Sequence, residues 1–313
     1  MARIDHWFKN AFMLLGVLLA FFYQPALLGW PAVGRLGLAV LATCLVASSN
    51  YVLNELLDGP RDRLHPLKRH RPVPSGRVTP ALAYLEWGLL AAAAFACAAR
   101  INAPFLAAAM ALWVAGVLYN VPPVRTKEWP YLDVLSESFN NPLRLLLGWF
   151  ALISDRVPPV SLMIAYWMAG AFFMATKRLA EYRHLGPVDA ARYRQSFAYY
   201  NQERLLVSML FYATACALFA GIFIVRYHIE LILVTPLTAG LFAYYMKLGL
   251  QPDSPAQSPE HLYRQKGFVA YLAVCAIAFV VLMFTSIPVM YDIFNVESAK
   301  TDPLWKVSGE RTR

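Results

Sequence analysis

The chain has 313 residues, 59% of them hydrophobic and 15% charged, with a formal net charge of +9. It is too apolar for an ordinary soluble domain, in which about half the residues are apolar and about a quarter charged. The basic excess does not mark a nucleic-acid binder: Lys and Arg cluster in short segments between apolar runs, and no basic helix or aromatic-basic ladder stands apart from them.

The apolar residues come in runs of about twenty, the length needed to cross a hydrocarbon core of about 30 Å. In chain order the predicted spans are 11–30, 36–57, 81–99, 103–121, 132–153, 160–181, 205–225, 229–247 and 267–291. Each is expected to be helical, because a backbone in lipid must satisfy its own hydrogen bonds. The expected fold is an all-α integral membrane bundle of about nine transmembrane helices, one membrane domain over residues 1–313. Pro60, Pro122, Pro123, Pro158 and Pro159 are read as lying between spans. The first run is long and lacks a small-residue cleavage site, so it reads as a span and not a leader. Cys44, Cys97, Cys216 and Cys275 sit inside apolar runs without a C-x-x-C pair, which argues against a disulfide framework or a zinc site.

Orientation follows from the basic residues. Arg61, Arg63, Lys68, Arg69, Arg71 and Arg77 lie between the second and third spans, and Lys177, Arg178, Arg183, Arg192, Arg194 and Arg204 between the sixth and seventh. Arg125 and Lys127 follow the fourth span, and Lys247, Arg264 and Lys266 the eighth; the opposite connections hold only Arg35, Arg100, Arg156 and Arg226. The positive-inside rule therefore places the N-terminus and the basic connections in the cytoplasm and the C-terminus outside. The basic tail (Lys300, Lys306, Arg311, Arg313) weighs against that last step.

Three constellations carry chemistry. The first closes the second span. Asn50, Asn54 and Asp58 recur every four residues and so share a helix face, and Gly59-Pro60 is expected to break the helix and turn Asp62 back toward the same space. Oxygen donors at a membrane rim suit a hard cation such as Mg²⁺, which takes one or two carboxylates and completes its shell with water and phosphate. A basic run, His65-Pro66-Leu67-Lys68-Arg69-His70-Arg71, follows at once.

The second constellation is Lys177-Arg178-Leu179-Ala180-Glu181, in which the Lys-Arg pair suits phosphate oxygens and Glu181 lies one turn beyond Lys177. The third is a stripe in the fifth span. Asp133, Glu137, Asn140, Asn141 and Arg144 are spaced to fall on roughly one face. Each charge in a membrane costs about 2.5–3.5 kcal/mol on insertion scales. Such a stripe faces a water-filled cavity or pairs internally, Glu137 or Asn140 with Arg144. If it is functional, Asp133 and Glu137 would orient a substrate hydroxyl or act as base, and Arg144 would hold a phosphate.

The run Asn-x-x-x-Asp-x-x-x-Asp followed by Arg-x-His-Pro-x-Lys-x-x-Arg-Pro-x-x-Ser-Gly resembles the first signature of the UbiA superfamily of intramembrane prenyltransferases. That resemblance implies a nine-helix membrane transferase in which Asn54, Asp58 and Asp62 hold Mg²⁺ on a diphosphate, with Lys68 and Arg71 screening it. Glu55 stands where the family usually has Asp. Most of these enzymes carry a second aspartate-rich motif where this chain has Lys177, Arg178 and Glu181, a replacement similar to the decaprenyl-phosphate phosphoribosyltransferase branch. Trp7-Phe8-Lys9-Asn10, Asn141-Pro142-Leu143-Arg144 with Gly148, and Phe173-Met174-Ala175 resemble the same branch. Tyr119-x-x-Pro122-Pro123-x-Arg125-x-Lys127 instead resembles the loop of the prenyltransferases, with Arg125 and Lys127 serving phosphate.

The resemblance thus implies a Mg²⁺-dependent transferase in a bacterial inner (plasma) membrane, its active site cytoplasmic. The leading expectation is transfer of phosphoribose from water-soluble phosphoribosyl diphosphate to a polyprenyl phosphate. The alternatives are prenyl transfer from a prenyl diphosphate to an aromatic or other small acceptor, and a transporter or scaffold without catalysis. The partners expected are a polyprenyl lipid and bilayer lipid, with no nucleic acid; the sequence leaves the oligomeric state open.

Overall fold

The computed structural model describes residues 1–63, 68–257, 259–296, 304, 306 and 307. His65, Pro66 and Leu67 of the basic run, the side chain of Lys68, and Lys300, Arg311 and Arg313 of the tail lie outside the described residues.

Among the described residues the chain is helical and holds no strand. A 3-10 stretch over Ile4–Met13 leads into α1 (Leu14–Tyr23). The helices that follow are α2 (Trp30–Asp62), α3 (Pro80–Ala99), α4 (Ala103–Asn120), α5 (Leu132–Ser138), α6 (Asn140–Phe150), α7 (Val160–Tyr193), α8 (Gln202–Tyr227), α9 (Thr235–Gly249), α10 (Lys266–Met283) and α11 (Pro288–Ile293). Two compact units emerge. The first comprises Met1–Lys127 and Phe139–Pro158 with a short C-terminal piece, and the second comprises Glu128–Ser138 and Pro159–Leu304.

Among the described residues, eight helical stretches are long and apolar enough to cross a membrane. Their burial runs opposite to that of a soluble protein. The most apolar windows, in α10 and α8 with mean hydropathies of 2.2 and 2.1, are only 17% and 22% buried within the chain. Leu210, Phe211, Leu218 and Ile277 are each more than 60% exposed. Surface of this kind is stable against hydrocarbon and not against water.

The expected fifth span, 132–153, is not one helix. It divides at Phe139 into α5 and α6, and α6, at 11 residues, is about 16 Å long, well short of a bilayer core. Pro142 is the physical reason: it has no N–H for the Ser138 carbonyl, and its ring crowds that carbonyl. The stripe read from Asp133 to Arg144 is therefore not a single face. Asp133 and Glu137 belong to the second unit, and Asn140, Asn141 and Arg144 to the first.

Gly59-Pro60 does the reverse of what was expected. α2 continues through Pro60 to Asp62, and Arg63 N–H still bonds the Gly59 carbonyl at 3.1 Å. A proline this near a helix end removes one backbone bond, and here the other bonds of α2 hold the helix together. Asn54, Asp58 and Asp62 consequently rise along one face without any turn of the chain. α7 also runs beyond its expected end at 181; its backbone breaks at Gly186, whose φ of 76° favours glycine, and Pro187 follows in the next helical turn.

In the first unit, α2 packs on α3 and α4, and α6 packs on α1 and α4. α1 and α6 approach closely enough that a Cβ on Gly16 would lie 2.0 Å from the Leu145 carbonyl oxygen, and one on Gly148 2.1 Å from that of Met13. Paired glycines permit this backbone contact and fix α6, which carries Arg144. Gly116 of α4 does the same for α2: a Cβ there would lie 2.2 Å from Asn50 Cγ. In the second unit, α7 packs on α5, α8 and α9 around a core that includes Phe172, Leu179, Phe197 and Leu205.

Candidate active site

Among the described residues each unit carries an extended cluster of paired acids and bases. In the first, Asp58 Oδ1 accepts from Lys127 Nζ at 2.6 Å and from Arg125 Nη2 at 2.9 Å. Lys127 also donates to Asn120 Oδ1 at 2.9 Å, and Asn54 Nδ2 donates to the same amide oxygen at 2.6 Å. Asn120 in turn donates to the Gly116 carbonyl at 2.9 Å, so the last turn of α4 holds the amide that links Asn54 to Lys127. One turn beyond Asp58, Asp62 Oδ2 accepts from Arg71 Nη1 at 2.8 Å. Glu55 points away from this face: it is buried and takes the Val73 N–H at 3.0 Å, tying the segment that carries Arg71 to α2.

The lengths of these contacts suit charge-assisted bonds, and the burial explains why they are paired. Lys127 is 5% exposed and Asp62 6%, and an ion at that depth needs its counter-charge.

The donor set of α2 fits a magnesium ion. Asp58 and Asp62 are hard carboxylates, and Asn54, held through its nitrogen, keeps its oxygen as an acceptor. Asn50, a turn earlier, donates to the Leu112 carbonyl at 3.1 Å, while its own Oδ1 is buried with no partner among the described residues. Among the described residues no three His, Cys, Asp or Glu side chains converge as a closed cage. Two carboxylates and an amide are what Mg²⁺ draws from a protein when water and phosphate supply the rest.

The same unit seats Arg144 and Asn10. Arg144 Nε donates to Asn10 Oδ1 at 3.1 Å, and Asn10 Nδ2 reaches Cys44 Sγ at 3.1 Å. Lys9, beside Asn10, is half-buried.

The cluster of the second unit is built on Asp133, which is fully buried. Its Oδ2 accepts from Arg178 Nε at 3.0 Å, Arg194 Nη1 at 3.3 Å and Ser196 Oγ at 3.3 Å, and its Oδ1 from the Tyr200 hydroxyl at 2.6 Å. Arg178 then donates through Nη2 to Glu137 at 2.9 Å and through Nη1 to Glu181 at 2.9 Å. Lys177 Nζ stands 4.0 Å from Glu181. Burial first, and then the Asp133 carboxylate, holds the Tyr200 phenol well above its ordinary pKa, so it stays a donor. It also accepts the Tyr131 N–H at 2.5 Å.

Three acids meet three bases here, and Arg178 lies at their centre with its side chain 3% exposed. Arg178 was expected to face phosphate, yet in this structure its guanidinium edges are occupied by carboxylates. The most accessible members are Glu137, at 33%, Lys177, at 24%, and Arg194, at 21%.

Sequence reasoning missed Asn120, although it lies inside the quoted Tyr119–Lys127 loop: an amide at a helix end signals a cap before it signals a hub. Arg194 was counted only for its charge, and Ser196 and Tyr200 carried no assigned role. They sit in an irregular stretch whose spacing says nothing of where the side chains meet.

An α-helical bundle with lipid-facing surfaces, an oxygen-donor face on α2 and a set of paired basic residues define an integral membrane transferase. The model of the UbiA prenyltransferase family matches residues 11–265. The chain belongs to that family. Decaprenyl-phosphate phosphoribosyltransferase of Mycolicibacterium smegmatis is 30% identical over 225 residues, 70% of this chain and 67% of that one. Nodulation protein NoeC of Azorhizobium caulinodans is 33% identical over 183 residues, 58% of this chain and 56% of its own. A solved UbiA homolog from Archaeoglobus fulgidus, bound to GPP and Mg²⁺, has the same fold with a TM-score of 0.68 at 19% identity, covering 91% of this chain and 100% of that one.

Proposed function

We propose that this enzyme transfers phosphoribose from phosphoribosyl diphosphate to a polyprenyl phosphate at the cytoplasmic side of a bacterial plasma membrane. The observation that carries the reading is Arg178 at the centre of Asp133, Glu137 and Glu181. In that cluster Asp133, Glu137 and Glu181 are locked on a buried guanidinium, whereas Asp58 and Asp62, although paired with Lys127, Arg125 and Arg71, stand with Asn54 on one face of α2, the oxygen-donor face assigned here to a metal. The relative from M. smegmatis supports the same choice of donor and acceptor.

Asn54, Asp58 and Asp62 would hold Mg²⁺, which when bound supplies Lewis-acid neutralisation of a departing diphosphate. Lys127, Arg125, Lys68 and Arg71 position that diphosphate and screen its remaining charge. Lys177, accessible beside Glu181 at 4.0 Å, is the phosphate ligand the second unit offers, while Arg178 is held by Glu137 and Glu181 and does not face substrate. Asp133, fully buried and saturated with donors, positions Arg178 and Arg194; it is not a base. Lys9 and Arg144 stand as further phosphate ligands, with Asn10 fixing the plane of the Arg144 guanidinium.

Membranes carrying the enzyme, given labelled phosphoribosyl diphosphate and polyprenyl phosphate, should yield a labelled lipid. No label in the lipid, with brisk use of a prenyl diphosphate and a ring acceptor, would favour the second reading, prenyl transfer. That reading draws on the Tyr119–Lys127 loop, whose Arg125 and Lys127 reach Asp58, and on the homolog bound to GPP.

A further inference from the structure

We infer that Lys127 and Arg125 are exchangeable counter-ions of Asp58. They hold the carboxylate while the metal is absent and pass to the diphosphate when the metal takes it, so that metal and diphosphate bind strongly only as a pair. The inference rests on the metal role proposed above for Asp58.

Lys127 Nζ at 2.6 Å and Arg125 Nη2 at 2.9 Å both converge on one atom, Asp58 Oδ1. A magnesium ion binds a carboxylate oxygen at about 2.0–2.1 Å. An ion on that oxygen would lie close to an ammonium and a guanidinium in a partly desolvated site, where like charges repel strongly. The cations cannot simply be released without a partner, because the Lys127 side chain is only 6% exposed and a charge so placed needs an anion.

Diphosphate is the anion that arrives with the metal. Asn120 makes the transfer local: its Oδ1 holds Lys127 Nζ at 2.9 Å and Asn54 Nδ2 at 2.6 Å, so the ammonium stays tethered beside the metal face while its anionic partner changes. Arg71, on Asp62 Oδ2 at 2.8 Å, is placed to do the same for the second carboxylate. Binding of either ligand prepays the displacement that the other needs, and the coupling is reciprocal.

The test uses the purified full chain in detergent, with Mn²⁺ as the metal, followed by the electron paramagnetic resonance of the free ion, and methylenediphosphonate as the diphosphate. After correction for their complex in solution, wild-type protein should bind Mn²⁺ about tenfold more tightly with methylenediphosphonate than without it. Lys127→Met should move the two affinities in opposite directions, tightening Mn²⁺ alone by about fivefold and weakening the Mn²⁺–methylenediphosphonate pair by about tenfold. Lys127→Arg should keep the wild-type pattern, and Arg125→Met provides the same reading where Lys127→Met fails to fold. The exchange is overturned if the wild type binds the pair while Lys127→Met and Arg125→Met leave the affinity for Mn²⁺ alone unchanged or weaker. Wild-type protein that takes up no Mn²⁺ with or without methylenediphosphonate overturns the metal reading itself, and the exchange with it.

Discussion

Asp58→Asn should lower turnover about a thousandfold while the protein stays folded. The loss corresponds to about 4 kcal/mol of transition-state stabilisation, the scale expected when a metal that neutralises a leaving group loses a charged ligand. The fold should be weakened but retained: an amide oxygen can still accept from Lys127 and Arg125, which now meet Asp58 Oδ1 at 2.6 and 2.9 Å, but no longer balances their charge, so the melting temperature is read beside the rate. Initial rates with labelled donor, set beside Asp155→Asn in an exposed pair with Arg156, separate the two effects. Turnover within about threefold of wild type, against the scale expected for a metal ligand, would remove Asp58 from the site.

The largest effect on stability is expected from Asp133→Ala. This change strips Arg178, Arg194, Ser196 and Tyr200 of a common acceptor that is itself fully buried. Removing one partner of a buried charge network costs about 3–5 kcal/mol, because the remaining charges stay desolvated. Asp133→Asn should cost less, since its amide oxygen still accepts from Tyr200 or Ser196, though it can no longer balance the guanidinium charge. Thermal unfolding in detergent should rank the proteins wild type, Asp133→Asn, Asp133→Ala. A melting temperature for Asp133→Ala equal to that of the wild type would show that the second cluster is not organised around this residue.

The membrane helices were legible because a long apolar run has few other uses: α3, α4 and α8 fall close to their expected places, whereas the last expected span, 267–291, is cut short because α10 stops at Met283. The errors arose where proline was read by type alone. Pro60, expected to break the helix, sits inside α2, while Pro142, expected to lie within a continuous span, divides it. A proline's effect depends on which carbonyl it leaves unpaired and on how many neighbouring bonds remain, and neither is written in the residue itself.

Much of the face proposed for the metal was legible for a simple reason. Asn50, Asn54, Asp58 and Asp62 repeat at the helical period, and local geometry alone brings them together. The Asp133 cluster could not be read in this way. It joins residues 133, 137, 178, 181, 194, 196 and 200, drawn from two helices and a connecting segment. Lys177, Arg178 and Glu181 stood out as a charged patch, but only tertiary packing shows that Arg178 turns toward carboxylates. The pairing of Lys127 with Asp58, 69 positions apart, is of the same kind: each residue was named, and their contact was not.

On the proposed function, a divalent ion on the α2 face carries the diphosphate through the reaction. Transfer by purified enzyme, measured in excess chelator and again after Mg²⁺ is restored, tests it most directly. Product formation should stop in chelator and return with the ion. Equal turnover in both conditions would contradict it.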